Sequence, residues 1–178
     1  MTATITSING AKALRKLDVG AGAKYEEGWE TMDLSPAYSP DFAHDITQFP
    51  WPFADGDFDE LRCWHVLEHL PATITQIDWE HRAIEYTNAR VAVMNEMHRI
   101  LKPGGRLSIE VPIFPFWQSV ADPTHISPPF VQQSFDYFTI GGGHDEHMAL
   151  YGVKAWEFVE RMSVDDGRIK RVTMRKPA

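Results

Sequence analysis

Short apolar runs broken by turn residues, rather than long stripes, dominate the first hundred positions. Leu14 to Val19 reads as a short buried strand, stopped by Gly20-Ala21-Gly22. A second strand is expected near Trp29 to Leu34, ending at Ser35-Pro36, and a weak third around Phe42 to Ile46. Phe58 to Trp64 is the fourth, entered through the turn Ala54-Asp55-Gly56-Asp57. From about Ile84 to Leu101 the spacing turns helical, with Thr87, Arg90, Val91, Met94, Met97 and Leu101 at three- and four-residue intervals. Lys102-Pro103-Gly104-Gly105 is expected to stop that helix, and Arg106 to Val111 to form a fifth strand. Ser127 before Pro128-Pro129 has the look of a helix start. Trp156, Phe158 and Met162 alternate with charged residues before the turn Asp165-Asp166-Gly167, and Ile169, Val172 and Met174 continue beyond it, which predicts a hairpin. Strands alternating with crossovers, then an antiparallel pair, define an α/β class: a doubly wound, mostly parallel sheet closed by an antiparallel hairpin.

Chemistry gathers where these strands end. Gly20 and Gly22 lack Cβ atoms, so the backbone can approach a ligand and turn its N–H groups toward a carboxylate or phosphate. Asp33 ends the next strand, where a carboxylate can accept from both hydroxyls of a ribose, and Asp45 stands past the third, in reach of an adenine amino group. Taken singly, Asp33 before Ser35-Pro36 and Asp45 before Thr47 are equally good turn caps. In order with Asp18, they outline a nucleoside pocket at the carboxyl edge of the sheet. A dinucleotide fold would carry a third glycine and place its acid about 20 residues after the strand. Here Lys24-Tyr25 follow Gly22 and Asp33 comes too soon, so the first crossover is short and a nicotinamide cofactor is disfavoured.

The segments LDVGAG, GWETMDLSP, DITQFPWPFADGDFDELRCWHVLEHL and EMHRILKPGGRLSIEVP occur in that order. Together they resemble class I, Rossmann-like S-adenosylmethionine-dependent methyltransferases, in particular the short type 11-like branch, over about residues 14–140. The resemblance implies S-adenosylmethionine as cofactor and S-adenosylhomocysteine as product. It implies that Asp18, Gly20 and Gly22 surround the methionine portion and that Asp33 with Leu34 takes the ribose. Asp45 and Ile46 would flank the adenine, and Cys63, Trp64 and His65 would line the floor near the sulfonium. The missing third glycine is a departure from the family pattern.

Methyl transfer needs an aligned acceptor and, for a hydroxyl or ammonium, a base. His65 and His69 follow the fourth strand and His125 the fifth, so both loops are expected over one cleft, and these three histidines are the catalytic candidates. Glu68 and His69 read most simply as the start of a helix. They also match part of a Glu-x-x-Glu-His run through which small-RNA 2′-O-methyltransferases and a quinone-pathway O-methyltransferase bind a divalent ion. In that reading His65, Glu68, His69 and His125 are the ligands, and zinc, manganese or iron suits them better than magnesium. His144-Asp145-Glu146-His147 after three glycines is either a mobile lid or a surface loop with chance polar residues. Trp51, Phe53, Phe114, Phe116 and Trp117 either wall an acceptor pocket or anchor a small core.

Bulk properties narrow the class. With 178 residues and 43% apolar content the chain supports one core, so residues 14–178 are expected to form a single domain behind a flexible segment 1–13. No apolar run is long enough to span a membrane, and MTATITSINGAKALRK lacks the pattern of a secretory signal. One cysteine, Cys63, excludes an intramolecular disulfide, which fits a cytoplasmic protein. A net charge of -8 argues against broad nucleic-acid binding; a small-molecule acceptor and no membrane partner are expected. The basic residues near the end (Arg168, Lys170, Arg171, Arg175, Lys176) read as guards on an edge strand or, less simply, as a phosphate patch. Three functions compete: methyl transfer to oxygen or nitrogen of a small or sugar-like acceptor, a non-catalytic nucleoside-binding scaffold, and metal-assisted methylation of a specialised RNA.

Overall fold

A computed structural model describes residues 13–78 and 83–178, so most of the segment expected to be flexible, residues 1–12, lies outside the described residues. Strands β1 (Lys16–Val19), β2 (Glu30–Asp33), β3 (Phe42–Ala43) and β4 (Phe58–Trp64) fall where the apolar runs place them. A hairpin of β5 (Thr73–Asp78) and β6 (Ala83–Asn88) follows, then helix α1 (Ala89–Ile100) and the long strand β7 (Leu101–Pro112). A short helix α2 (Asp145–Leu150) precedes the closing hairpin β8 (Glu157–Val164) and β9 (Ile169–Arg175).

The main sheet has seven strands in the order β3-β2-β1-β4-β7-β9-β8. The run from β3 to β7 is parallel, and β9 lies antiparallel between β7 and β8. Strand order reverses between β1 and β4, which opens a crevice at their carboxyl ends. Alternation along the strands sorts the side chains onto two faces. Leu17, Val19, Leu61, Cys63, Leu107, Ile109, Val172 and Met174 point into the core against α1. The opposite face carries Asp18, Arg62, Ser108 and Thr173 in one cross-strand row.

Helix α1 starts five residues later than its spacing predicts. Ile84, Tyr86 and Thr87 belong to β6, paired with Ile77, Thr75 and Ile74, and β-branched and aromatic residues favour that conformation. Asn88 then caps the helix, its side chain accepting from the Val91 N–H at 3.1 Å. The buried stripe is Ala89, Val93, Met94, Met97 and Ile100, so only Met94 and Met97 of the expected stripe are central to it. Leu101 already belongs to β7, and the glycine pair is used elsewhere. The Gly104 N–H donates to the Lys176 carbonyl and the Lys176 N–H to the Gly105 carbonyl, tying the start of β7 to the chain end.

Three further expectations are corrected. Ser127 starts no helix: its hydroxyl donates to the Leu70 carbonyl at 2.5 Å, and Phe130 bridges to Ile113 in extended form. The basic residues near the end guard no edge, because β9 is internal and β8 is the outer strand. Nor are they an unpaired patch. Arg171 meets Glu110, Arg175 meets Glu157, Arg168 meets Asp165, Lys170 meets Gln132, and Lys176 donates to the Leu101 carbonyl. Finally, His144-Asp145-Glu146-His147 is no open lid. It begins α2, with the His144 ring stacked on Tyr137 at 3.6 Å and Asp145 accepting from the Gly141 N–H.

Candidate active site

The tight bend after β1 is built by its glycines. Gly20 has φ +73°, and a Cβ there would lie 2.3 Å from a Val66 methyl, so the bend and the loop after β4 pack together only because that position is bare. The bend satisfies its own donors. The Gly20 and Ala21 N–H groups both donate to the Met32 carbonyl, and the Gly22 N–H donates to Asp33 Oδ2 at 2.8 Å. This corrects the expectation that these N–H groups face a ligand anion: with so short a crossover, the chain folds back onto β2.

Asp33 is thereby oriented. Its second oxygen accepts from the Ser35 N–H at 2.8 Å, and with Gly20 and Leu34 it lines a cleft of about 300 Å³ at the switch between β1 and β4. Asp45, Ile46 and Thr47 form the far wall, and His65, Val66, His69, Leu70 and Pro71 the near one. Asp45 Oδ1 accepts from both the N–H and hydroxyl of Thr47 at 2.8 Å, so it caps its own turn and also faces the cleft. The Trp51 indole N–H donates to the Ile46 carbonyl at 3.0 Å, fixing that wall from the core side. Each acid therefore caps its own turn and also lines the cleft.

Three expected cofactor residues lie elsewhere. Asp18 turns to the polar face of the sheet and pairs with Arg62 at 2.7 Å, each side chain 6% exposed. Burial pushes the Asp18 carboxyl above its ordinary range, and the Arg62 guanidinium opposes that shift. Cys63 is fully buried in the core, and burial drives its thiol well above the usual value, so it has no thiolate to offer. Trp64 lies on the polar face, its indole N–H donating to the Ser108 hydroxyl and its ring beneath Arg62 and Arg171. The cause is strand parity. Successive residues alternate between faces, and the tip of β4 sends only His65 toward the crevice.

His65 adopts φ +58°, a left-handed backbone uncommon for a histidine, and its N–H donates to the Glu110 carbonyl at 2.9 Å. Its ring lies 3.4 Å from Glu68 and 3.6 Å from Glu110. The Glu68 carboxylate holds the imidazole pKa above its ordinary value against the effect of burial. One 3-10 turn, Leu67–His69, replaces the expected helix after β4 and presents Glu68 inward and His69 outward.

The loop after β7 reaches this turn, as its position in the chain predicts. The rings of His69 and His125 meet edge to face at 4.8 Å. Thr124, which the sequence reading passed over, donates its hydroxyl proton to Asp122 at 2.6 Å and stands 2.9 Å from His69 Nδ1. The Asp-Pro-Thr turn signal was visible; its role in orienting His69 was not. Of the aromatic candidates, Trp51 and Phe53 are core residues, while Phe114, Phe116 and Trp117 are exposed.

A parallel sheet with a nucleoside-sized cleft at its topological switch and an antiparallel closing hairpin defines a Rossmann-like, methyltransferase-type domain. Residues 33–109 match the family described as Methyltransferase domain. A search of curated proteins found no sequence match. Among solved structures, an inferred methyltransferase from Bacillus halodurans C-125 is 14% identical, with TM-score 0.60 and 93% of each chain covered. The N-methyltransferase NodS from Bradyrhizobium japonicum, in complex with S-adenosylhomocysteine, is 17% identical with TM-score 0.55, covering 93% of this chain and 80% of NodS. The [4+2]-cyclase SpnF is 14% identical with TM-score 0.60, covering 93% of this chain and 75% of SpnF. The fold is that of class I, Rossmann-like S-adenosylmethionine-dependent methyltransferases, and the family match lies within it over residues 33–109. No helix among the described residues is long and apolar enough to cross a membrane.

Proposed function

We propose that the chain transfers a methyl group from S-adenosylmethionine to an oxygen or nitrogen of a small-molecule or sugar-like acceptor. The observation that carries this reading is the oriented carboxylate of Asp33 at one wall of the cleft, with Asp45 across from it. Two backbone donors hold Asp33 in place and each oxygen keeps a lone pair, which suits paired ribose hydroxyls. Asp45 has no partner on Oδ2 among the described residues and can accept from an exocyclic amine. The glycine bend, its N–H groups spent, offers carbonyls, so it favours the ammonium end of the methionine tail over its carboxylate.

The histidines stand on the acceptor side. His65 and His69 line the cleft, and His125 backs His69. His69 is exposed and oriented, so it is the better placed base, with His125 holding its ring. Proton removal by a positioned imidazole typically contributes about 10²–10⁴-fold. The test is transfer of labelled methyl from S-adenosylmethionine to a panel of hydroxyl and amine acceptors. Turnover lost in Asp33→Ala and reduced at least about 100-fold in His69→Gln is expected. Turnover indifferent to Asp33→Ala would remove the cleft from the reaction. The scaffold alternative, which the same fold in a [4+2]-cyclase keeps in view, is excluded by turnover with any acceptor.

A further inference from the structure

We propose that a second hollow, lined by Arg90, Phe130, Tyr137 and Tyr151, binds a small aromatic carboxylate. It encloses about 740 Å³ between the start of α1, the stretch 130–138 and the residues just past α2. Small-molecule sites of this size pair a mostly apolar lining with a few placed polar groups. None of its lining residues belongs to the cofactor cleft, so the site does not rest on the methyl-transfer reading. Phe130 and Phe138 are its buried apolar base, whereas Val131, Tyr137 and Tyr151 stand exposed around it. Both tyrosine rings are backed by imidazoles, Tyr137 stacked on His144 at 3.6 Å and Tyr151 on His147 at 6.0 Å. Walls of this kind suit a flat, aromatic body.

Charge decides what that body must carry. The chain has 25 acidic residues against 17 basic ones, yet among the described residues no acid lines this hollow and one cation does. That cation, Arg90, is short of acceptors. Its Nη2 donates to the Pro128 carbonyl at 2.5 Å, and its guanidinium carbon lies 3.8 Å from the centre of the Phe130 ring. Nε is buried without an acceptor, and among the described residues Nη1 has none and no carboxylate pairs with the group. Burial lowers its pKa to about 10, and Glu68 opposes that shift through its charge alone. A partly desolvated guanidinium with one neutral acceptor gains most from an anion.

The other polar groups of the lining have protons left to give. Asn88 Oδ1 is occupied by the Val91 N–H and Ser134 Oγ accepts from the Val131 N–H, which leaves the Asn88 amide hydrogens and the Ser134 hydroxyl proton free. One guanidinium balances a single carboxylate. A phosphate monoester, carrying about −1.5 to −2 at neutral pH, would bring more charge than the lining neutralises.

The experiment is calorimetric titration of the full chain with 2-naphthylacetate, 2-naphthylethanol and 2-naphthyl phosphate. One naphthylacetate per chain is expected, bound at least about 10-fold more tightly than the alcohol. Arg90→Gln should weaken the carboxylate by about 10- to 100-fold and leave the alcohol unchanged. Tyr151→Ala, at an exposed position, should weaken both by about 3- to 10-fold. Thermal melts of each variant report folding without using the cofactor. No binding of naphthylacetate by folded wild type, or an alcohol that binds as tightly, overturns the site. Phosphate binding tighter than carboxylate overturns the ligand class. Affinity undiminished in both Arg90→Gln and Tyr151→Ala places the ligand elsewhere and overturns the proposal equally. If Arg90→Gln does not fold, Tyr151→Ala and the comparison of carboxylate with alcohol decide.

Discussion

Asp18 and Asp33 stand near the carboxyl ends of neighbouring parallel strands, yet the sheet puts them to opposite uses. Asp33 stands at the carboxyl edge, held by two backbone N–H groups and open to the cleft. Asp18 lies one residue inside its strand and faces the polar side, locked to Arg62, which also meets Glu26 and stacks between Trp29 and Trp64. The first carboxylate keeps capacity for a ligand; the second is consumed in holding the sheet. Parity within the strand decides which task an acid receives, and residue type alone does not.

Breaking the structural half should cost most. Arg62→Ala leaves Asp18 buried without its partner, and loss of about 3–5 kcal/mol is expected by urea denaturation, while folded protein keeps its affinity for S-adenosylhomocysteine. An unchanged unfolding midpoint would show that the pair contributes nothing. Gly20→Ala strikes the joint between the two regions. Its positive φ and the 2.3 Å approach to Val66 predict a loss of about 1–3 kcal/mol, together with weakened cofactor binding, since Val66 and His65 share a loop. Asp45→Asn keeps the cap on Thr47 but removes the charge. Stability should stay within about 0.5 kcal/mol, with cofactor affinity lowered severalfold in equilibrium binding.

The smallest effect concerns His98, far from the cleft. Its ring packs edge-on against Trp156 at 5.0 Å, and burial, aided by Lys176, depresses its pKa to about 4. A histidine kept neutral in the folded state takes up its proton more readily when unfolded. Its contribution is therefore intact above about pH 6.5 and is lost as the pH falls toward 4. Thermal melts of wild type and His98→Gln should converge across that window; parallel curves would acquit His98.

The parallel half of the fold was legible because its strands are short apolar runs closed by glycine or proline, as at Val19-Gly20 and Leu34-Ser35-Pro36. The helix boundary was not, because Ile84 to Asn88 satisfies a helical spacing while its β-branched and aromatic residues pair as a hairpin strand. In the site, Gly20, Asp33, Leu34, Asp45, Ile46 and His65 come together as their order in the chain suggests. Asp18, Cys63 and Trp64 do not, since a motif gives position along a strand without saying which face a side chain takes. The meeting of His69 with His125 could be expected only as two loops at one edge. That Thr124 fixes the ring of His69 needed coordinates.

Everything turns on whether the cleft between Asp33 and Asp45 takes a nucleoside. Calorimetric titration of S-adenosylhomocysteine into wild type and Asp33→Ala measures this without any knowledge of the acceptor. The account predicts one site per chain in wild type and about 10- to 100-fold weaker binding in Asp33→Ala, the worth of hydrogen bonds to a charged group. Folded wild type that binds none, or an Asp33→Ala variant that binds as tightly, would contradict it.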